Sequence, residues 1–402
     1  MTDKDRTSQT RPWYRRPSPL TKGCHIALIG GGIAGLCTAL ALQKAGYRVT
    51  VFDREPHPMA QASGNPVGIL DPYLVLGQGA DGAFYHQALI HALAFYAALD
   101  PDIMVTQGLT KFPVSPPDKQ KFQKIIAQET WPQDFMRAAP EGRLDFPICG
   151  ALSPPKIRDI LSDRLSIRCG ITISQLDHDR HWTLTDSDQT QYEADAIIIC
   201  GGPASRHFVQ TQHLPLEPVR GQITYLDPEK MADVPSQVLC GRGYLIPPVE
   251  VEDRMIMITG ASFDRKEISL DIRDSDHQEN MANAASLWPL VEGQTIIGGR
   301  CALRAYSPDH LPLCGPLPDA GQYQTAYNQL KHGPRHQEFD PAPYQPGLYM
   351  VSGLGARGFM SAPLLGDMMS SLISGAPLPL STPLYESLHP ARFLIRNLIR
   401  GL

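Results

Sequence analysis

Three glycines and one aspartate near the start of the chain have the types and the spacing to bind a dinucleotide. The stretch "IGGGIAG" (29–35) contains Gly30, Gly32 and Gly35, and Asp53 follows Gly32 by 21 residues. Glycines let the backbone approach a pyrophosphate, a helix N-terminus supplies N–H donors, and a carboxylate accepts ribose hydroxyls. The pattern predicts a dinucleotide site. The acid disfavours NADP, but the pattern does not separate NAD from FAD.

The elements that must position these residues are indicated by the flanking sequence. The stretch "HIALIG" (25–30) predicts a short buried strand, "IAGLCTALALQKAG" (33–46) a helix, and "RVTVFD" (48–53) a second strand. Together they predict a βαβ unit of about thirty residues. The glycines then lie between the first strand and the helix, and the acid lies at the end of the second strand.

Composition and charge limit the class of protein. A chain of 402 residues, 42% apolar and 19% charged, suits a soluble protein of two domains. The net charge of −5 argues against bulk affinity for nucleic acid, although residues 1–22 carry a balance of +4 and residues 227–292 one of −7. The basic residues therefore concentrate at the ends of the chain.

The cysteines and the apolar segments predict a cytoplasmic protein without a metal site. The eight cysteines show no CxxC pair and no zinc spacing, so we expect reduced thiols, most of them buried. The uncharged run 24–42 is explained by the βαβ unit better than by a membrane span. No signal-type apolar region follows the arginine pair at 15–16.

Strand signals near glycine turns recur at the start, in the middle ("ADAIIICGG", 194–202) and at the end of the chain. Segments between about 220 and 300 predict an antiparallel sheet. We therefore expect an α/β protein (α+β overall) with a discontinuous Rossmann-like domain and an inserted substrate domain. The predicted parts are a basic N-terminal arm (1–22), a cofactor domain (23–75, 150–218 and 300–402) and a substrate domain (76–149 and 219–299).

Several stretches of the chain resemble one family of flavoproteins. They are "IGGGIAG", "ASGNPVGILDPYL", "VRGQITYL", "RCALRAYSPDHLPLCGPLPD", "GLYMVSGLGARGFMSAPL", "ISGAPLPL" and "LHPARFLIRNLIRGL". On these stretches the chain resembles the D-amino-acid-oxidase-like (DAO) flavoproteins. More closely, it resembles the FAD-dependent oxidoreductase domain of the bifunctional tRNA 5-methylaminomethyl-2-thiouridine biosynthesis proteins (MnmC type). The resemblance covers the oxidoreductase half of those proteins, and their methyltransferase half is absent.

The resemblance implies FAD and further residues that bind it. Its fold is the discontinuous FAD-binding domain of the DAO and glutathione-reductase-2-like type. A loop like 62–65 passes near the flavin and pyrophosphate in many amine-oxidising flavoproteins, and the loop after the last strand meets the flavin ring. The residues assigned on this basis are Ala62, Ser63, Gly64, Asn65, Gly353, Gly355, Ala356, Arg357, Gly358 and Phe359. Some relatives bind flavin through a cysteine near Cys301, but the spacing to Asp309 is one residue off here, which favours non-covalent FAD.

The resemblance also implies a reaction and its substrate residues. The family oxidises the carboxymethylaminomethyl group of a tRNA wobble uridine, releases glyoxylate and leaves an aminomethyl group. A glycine-like substrate needs its carboxylate fixed, which an arginine does best. Arg304 precedes Asp309 by five residues, as the carboxylate-binding arginine does in the similar segment of glycine and D-amino-acid oxidases. Arg220 and Tyr244 are secondary candidates, and a packing role remains open for Tyr244.

A tRNA substrate predicts a basic surface, and both ends of the chain offer one. Arg392, Arg396 and Arg400 recur every four residues, which places them along one helix face. Arg15 and Arg16 lie in an arm that also contains Trp13 and Tyr14. A solvated amphipathic helix explains the same C-terminal spacing, and the family resemblance favours tRNA.

Two other functions remain open from the sequence. A glycine- or sarcosine-oxidase-like enzyme that acts on a free secondary amine would share the fold, FAD and Arg304. A non-catalytic flavin-bearing module that binds tRNA would keep FAD but would not oxidise an amine. Either a separate methyltransferase acts on the aminomethyl product, or the pathway stops at that product. The sequence leaves the electron acceptor and the oligomeric state undetermined.

Overall fold

The computed structural model describes residues 11–77, 79–128, 131–229, 231–333 and 338–402. In them the chain forms two compact units, each built from separate segments. The first unit contains the residues up to Ala60, Leu161–Glu217 and Ala305–Leu402, and the second contains Gln61–Ile160 and Pro218–Arg304. The second unit therefore interrupts the first in the sequence. Residues 62–65, assigned above to the cofactor domain, lie in the second unit.

A six-stranded, mainly parallel sheet forms the centre of the first unit. Numbered in chain order and given in spatial order, its strands are Leu313–Pro318 (β17), Tyr344–Ser352 (β18), Ala196–Ile199 (β11), His25–Ile29 (β1), Arg48–Phe52 (β2) and Ile167–Arg168 (β7). Only the β17–β18 pair is antiparallel among these strands. The run of Ile197, Ile198 and Ile199 is fully buried, as expected for a parallel strand covered on both faces.

Helices and a small second sheet complete the first unit. The helices are Ile33–Lys44 (α1), Ala320–Tyr327 (α6), Gly358–Ser374 (α7), Thr382–Leu388 (α8) and Arg392–Arg400 (α9). The small antiparallel sheet contains Ile173–His178 (β8), Trp182–Asp186 (β9) and Gln191–Ala194 (β10). Helices α1 and α7 pack in close contact, because a β-carbon at Gly366 would lie 2.8 Å from the carbonyl oxygen of Cys37.

A nine-stranded sheet organises the second unit. In spatial order its strands are Ile296–Tyr306 (β16), Glu217–Leu226 (β12), Arg254–Gly260 (β15), Tyr244–Val251 (β14), Val238–Cys240 (β13), Met104–Lys111 (β4), Arg143–Leu152 (β6) and Gly68–Leu70 (β3), and Arg137–Ala139 (β5) pairs with β6. The β13–β4 pair is parallel. The pairs β12–β15, β14–β15, β13–β14, β4–β6, β3–β6 and β5–β6 are antiparallel.

The remaining helices belong to the second unit or to the link between the units. They are Ala80–Leu99 (α2), Pro116–Ala127 (α3), Pro154–Arg164 (α4) and Asp274–Leu287 (α5). Short 3₁₀ turns occur at Pro12–Tyr14, Pro101–Ile103, Pro140–Gly142, Gly202–His207, Pro289–Val291 and Asn328–His332. Among the described residues, no helix combines the length and apolar character that crossing a bilayer requires.

The fold class predicted from the sequence is confirmed. One unit has a mainly parallel sheet with the βαβ unit at its centre, and the other has a mostly antiparallel sheet. The antiparallel strands Tyr244–Val251 and Arg254–Gly260 lie within the range of about 220 to 300 for which an antiparallel sheet was predicted.

Candidate functional site

The first glycine loop is a tight turn between β1 and α1 that only glycine permits. Gly30 has a φ of +112°, and a β-carbon there would lie 2.6 Å from the carbonyl oxygen of Cys200. A β-carbon at Gly35 would overlap the carbonyl oxygen of Gly30. Gly32 is the N-cap of α1, with extended backbone. The three glycines therefore keep the turn closed and the start of the helix uncovered.

Asp53 lies directly after β2, beside this turn. Its Oδ2 accepts a hydrogen bond from the Gly31 amide at 2.5 Å, and its Oδ1 accepts one from the Glu55 amide at 2.8 Å. Burial raises the pKa of Asp53, and the two amide donors oppose this shift. A carboxylate has about four lone-pair sites, so Asp53 retains the capacity to accept ribose hydroxyls.

The second glycine loop lies in the same unit as the first. Gly353 and Gly355 have φ values of +73° and +57°, and the Gly355 amide donates to the Ala305 carbonyl at 2.9 Å. Arg357 is the N-cap of α7, whose first residue is Gly358. A β-carbon at Gly358 would lie 3.3 Å from Cγ2 of Ile33, the first residue of α1. The two helix N-termini therefore lie side by side.

These features fit a dinucleotide cofactor. The first turns of α1 and α7 contain no acidic side chain, and the first N–H groups of any helix have no partner within it. A β-carbon at Gly31 would lie 2.8 Å from Oδ2 of Asp53, so a side chain there would fill the space beside the carboxylate. Ala356 and Phe359 flank the second helix start. The arrangement offers amide donors and positive dipoles to an anionic group.

The loop 62–65 lies in the second unit, where it is part of a turn. The Gly64 amide donates to the Gln61 carbonyl at 2.8 Å, with Ala62 and Ser63 at the turn positions. Arg300 donates to the same carbonyl at 2.5 Å and to Oδ1 of Asn65 at 2.8 Å. Arg300 was not predicted from the sequence. Its place four residues before Arg304, on the same face of a strand, is the signal that could have indicated it.

Arg304 lies at the edge of the nine-stranded sheet with an available guanidinium group. Its side chain is half-buried, and among the described residues none forms a hydrogen bond or an ion pair with it. A β-carbon at Gly221 of β12 would lie 2.6 Å from Cζ of Arg304, so the guanidinium lies directly on the backbone of the neighbouring strand. Gly221 was not assigned from the sequence.

Tyr244 begins β14 in the same unit. Burial raises the pKa of Tyr244 to about 12, and the positive charge of Arg304 opposes the shift. Tyr244 is therefore a neutral hydroxyl at physiological pH. A β-carbon at Gly260 would lie 3.2 Å from that hydroxyl oxygen. The hydroxyl can donate or accept one hydrogen bond close to the Gly260 backbone.

The assignment of Arg220 to the substrate is corrected by the structure. Arg220 is fully buried and forms an ion pair with Asp276. Its guanidinium also donates to the Ser269 carbonyl at 2.8 Å, to the Asp271 carbonyl, and to Gln222 at 2.9 Å. A buried cation is tolerated when it is paired and hydrogen-bonded in this way. Arg220 thus stabilises the segment before α5 and is not exposed to a substrate.

The C-terminal arginines do not form one exposed row, contrary to the tRNA-contact prediction for Arg392. Arg392 is buried and forms a two-point ion pair with Asp309. Arg396 is half-buried, and its Cζ lies 4.7 Å from the centre of the Phe393 ring. Arg400 is exposed. Only the end of α9 therefore presents an exposed arginine.

The described part of the N-terminal arm packs against the first unit. Trp13 and Tyr14 are buried and therefore do not form an exposed aromatic surface, and the Trp13 ring meets Tyr327 edge-on at 5.8 Å. Arg16 donates to the carbonyls of Ser371 and Ala376 at 3.0 and 2.7 Å, whereas Arg15 is exposed. The predicted residues 1–10 of the arm lie outside the described residues.

The cysteines are unpaired, and most are buried. Cys301 is half-buried, with its Sγ 3.9 Å from the Ser269 carbonyl oxygen, and burial raises the pKa of its thiol. In the described ranges no group of His, Cys, Asp and Glu side chains could hold a metal ion.

The chain is similar in sequence to proteins of known name. The chain is 34% identical over 417 residues to the tRNA 5-methylaminomethyl-2-thiouridine biosynthesis bifunctional protein MnmC of Magnetococcus marinus, an alignment covering 96% of this chain and 62% of that protein. It is 33% identical to the protein of that name from Chromobacterium violaceum, with 97% and 62% covered. The chain thus spans less than two thirds of the length of these curated relatives.

Solved structures and a family profile agree on the fold. Glycine oxidase from Geobacillus kaustophilus has a TM-score of 0.69 at 15% identity, covering 89% of this chain and 96% of that chain. Iminodiacetate oxidase from Chelativorans sp. BNC1 has a TM-score of 0.69 at 18% identity, covering 90% and 98%. The profile of the FAD dependent oxidoreductase (DAO) family matches residues 25–372. With both glycine loops and Asp53 inside the matched region, the chain belongs to the DAO family of FAD-dependent oxidoreductases.

Proposed function

We propose that the chain removes the carboxymethyl unit, as glyoxylate, from 5-carboxymethylaminomethyl(-2-thio)uridine at the wobble position of tRNA. The product is the 5-aminomethyl form. Support comes from the MnmC relatives, which are named for tRNA 5-methylaminomethyl-2-thiouridine biosynthesis and match nearly all of this chain. In this proposal the first unit serves as the cofactor domain and the second as the substrate domain.

The state of Arg304 is the observation that carries the proposal. A half-buried arginine that forms no ion pair with the described residues, and that lies on a glycine backbone, is prepared to bind a carboxylate with two parallel hydrogen bonds. The reactive end of the proposed substrate is a glycine linked through its nitrogen to the nucleoside. Arg304 would hold the carboxylate of that glycine, and Tyr244 would place a neutral hydroxyl on the same substrate.

The chemistry requires two electrons to leave the carbon between the amine and the carboxylate. FAD, when bound, supplies this step by accepting a hydride from that carbon. The amine nitrogen must be neutral, and its loss of a proton leaves a C=N double bond. Water then adds across this bond, and cleavage of the C–N bond gives glyoxylate and the primary amine. The contribution of the protein is to hold the carbon in one orientation.

We propose that FAD is held non-covalently. Bond formation to a cysteine needs a thiolate, and burial raises the pKa of the Cys301 thiol. The two glycine loops, Asp53 and the loop 62–65 would hold the cofactor through amide donors and one carboxylate. Release of free FAD on acid precipitation of the protein would support this, and flavin that remains bound to the precipitate would contradict it.

A tRNA substrate sets further expectations. We expect the reaction to take place in the cytoplasm, and a methyltransferase activity would act on the aminomethyl product. Of the arginines proposed for tRNA contact, Arg15 and Arg400 are the exposed ones and Arg396 is half-buried. We therefore propose Arg15, Arg396 and Arg400 as the arginines that contact tRNA.

The deciding experiment mixes the yellow holoprotein anaerobically with tRNA that carries the modification and follows the loss of flavin absorbance near 450 nm, roughly where oxidised flavins absorb. Unmodified tRNA is the control. We expect loss of colour with the modified tRNA and detection of glyoxylate. Loss of colour with free glycine or sarcosine, but not with tRNA, would instead show a free-amine oxidase. Colour that persists with every amine would indicate a non-catalytic flavin-bearing module.

A further inference from the structure

The loop 61–65 contains the short turn described above and is attached to the rest of the second unit at two places. At one end it continues into β3, which pairs with β6 in the large sheet. At the other end it is bound by the side chain of Arg300, from the edge strand β16. Arg300 contacts the first residue of the turn, Gln61, and the residue that follows it, Asn65. One guanidinium therefore spans the whole turn.

The geometry of this contact is specific to arginine. Nη2 donates to the Gln61 carbonyl at 2.5 Å, and Nη1 donates to Oδ1 of Asn65 at 2.8 Å. The Gln61 carbonyl accepts at the same time from the Gly64 amide, so the guanidinium reinforces the hydrogen bond that closes the turn. Charge-assisted hydrogen bonds of this kind are stronger than neutral ones, and a lysine could not supply two donors in a fixed fork.

The partial burial of Arg300 is consistent with a side chain that holds the 61–65 turn in place. Burial lowers the pKa of Arg300, although the guanidinium remains charged at physiological pH. Arg300 is half-buried, and a partly buried cation is stabilised by acceptors that are fixed in place.

The position of Arg300 in its strand links the loop to Arg304. The two arginines are four residues apart in β16, and side chains at even spacing lie on the same face of a strand. At about 3.3 Å per residue, their α-carbons are about 13 Å apart. The same face of one strand therefore carries the side chain that binds the loop and the side chain available for a carboxylate.

We propose that Arg300 is a positioning residue that holds the 61–65 turn in the conformation that FAD binds. The proposal rests on the proposed function only in assigning this loop to FAD. It predicts that loss of the guanidinium loosens the turn before any cofactor is present, and weakens FAD binding as a result. No tRNA substrate is needed to test either statement, so failure of the tRNA proposal would leave this one intact.

The test uses the full chain with FAD removed. Hydrogen–deuterium exchange of the amides at 62–65 is compared between the wild type and Arg300→Met, and the Kd for FAD is measured by titration of flavin fluorescence. We expect the Gly64 amide to exchange about tenfold or more faster, and the Kd to rise by about tenfold or more, which is the effect of losing a charge-assisted hydrogen bond. Arg300→Lys should give intermediate values.

Two further variants complete the test. Asn65→Ala breaks the contact from the other side without removing the cation, so it gives a result even if Arg300→Met does not fold. Arg254→Met is the matched control, because Arg254 is an exposed arginine of the same unit whose nearest acid is Asp227 at 3.9 Å. Unchanged exchange at 62–65 in both Arg300→Met and Asn65→Ala would overturn the proposal. A raised Kd without faster exchange would also overturn it, since Arg300 would then contact FAD directly.

Discussion

Arg392 and Asp309 form a two-point ion pair inside the first unit, with Nε–Oδ2 at 2.8 Å and Nη2–Oδ1 at 2.9 Å. Arg392 also donates to the Leu311 carbonyl at 2.8 Å, and Ser307 donates to Asp309 at 3.0 Å. The pair joins helix α9 to the turn between β16 and β17. Its role is to stabilise the C-terminal helix.

Removal of either partner should destabilise the protein. We expect Asp309→Asn or Arg392→Met to lower the free energy of unfolding by about 2 kcal/mol. Asp309→Asn leaves the buried Arg392 charge without its partner, and Arg392→Met removes the hydrogen bonds of that buried side chain. Thermal or urea unfolding measures the change. Arg400→Met, at the exposed end of the same helix, is the control and should stay within about 0.5 kcal/mol of the wild type. An equal loss in all three variants would contradict a specific role for the pair.

The stability conferred by Asp309 should depend on pH. Burial by itself raises the pKa of Asp309, but the hydrogen bonds and charge of Arg392 outweigh it and the pKa lies below its ordinary value. A lowered pKa in the folded state means that the contribution is complete above the ordinary pKa of about 4. It is then lost as the pH falls through the folded pKa. The difference in Tm between the wild type and Asp309→Asn should therefore be constant from about pH 7 to 5 and shrink below about pH 4. A constant difference down to about pH 2.5 would contradict it, because the carboxyl of the unfolded chain is protonated well above that pH.

Gly35→Ala should abolish binding of FAD. The added methyl group would overlap the Gly30 carbonyl, so the first loop must open. Gly321→Ala is the matched control, since Gly321 is also near the start of a helix and its β-carbon would meet only Asp319 Oδ1 at 3.7 Å. The control should retain flavin and gain up to about 1 kcal/mol of stability from helix propensity. The ratio of flavin to protein in the purified variants checks both outcomes.

Gly221→Ala should weaken the binding of substrate through Arg304. The β-carbon would lie 2.6 Å from Cζ, so the guanidinium must move. We expect kcat/KM for the modified tRNA to fall by about tenfold to a hundredfold, as it should in Arg304→Ala. In the Arg304→Ala background, Gly221→Ala should have no further effect, because the clash is gone. Additive losses in the double variant would show that Gly221 acts by another route.

Arg15 and Arg400 should each contribute one ionic contact if tRNA binds to the first unit. Arg15→Ala or Arg400→Ala should reduce the slope of log affinity against log salt by about 0.7 to 1 per contact. Arg254→Ala, an exposed arginine of the second unit, should leave the slope unchanged. Salt slopes identical to the wild type in both test variants would place the tRNA elsewhere.

The elements around the first loop could be predicted from the sequence because the physical cause there is local. Gly30, Gly35 and Asp53 belong to one βαβ unit, in which strand, turn and helix preferences act within about thirty residues. The second loop was assigned through the family resemblance, and in the structure a buried strand and a helix flank its glycines.

The predictions for Arg220 and Arg392 were wrong because the environment of a charged side chain depends on distant residues. The partner of Arg220 is Asp276 and that of Arg392 is Asp309, 56 and 83 positions away. A four-residue repeat of arginines shows that they share a helix face, but not whether that face is buried. The contacts of Arg300 and Gly221 were missed because they join separate segments.

The contact between Gly358 and Ile33 has a consequence for the order in which the protein matures. The first glycine loop leaves the ribosome early, but the helix start that lies beside it is more than three hundred residues further along the chain. Contacts between such distant positions form only after the intervening chain is made, and they carry a large cost in chain entropy. Both helix starts are therefore available together only after the chain has been made beyond Gly358. Acquisition of the yellow colour would accordingly report that synthesis has passed helix α7.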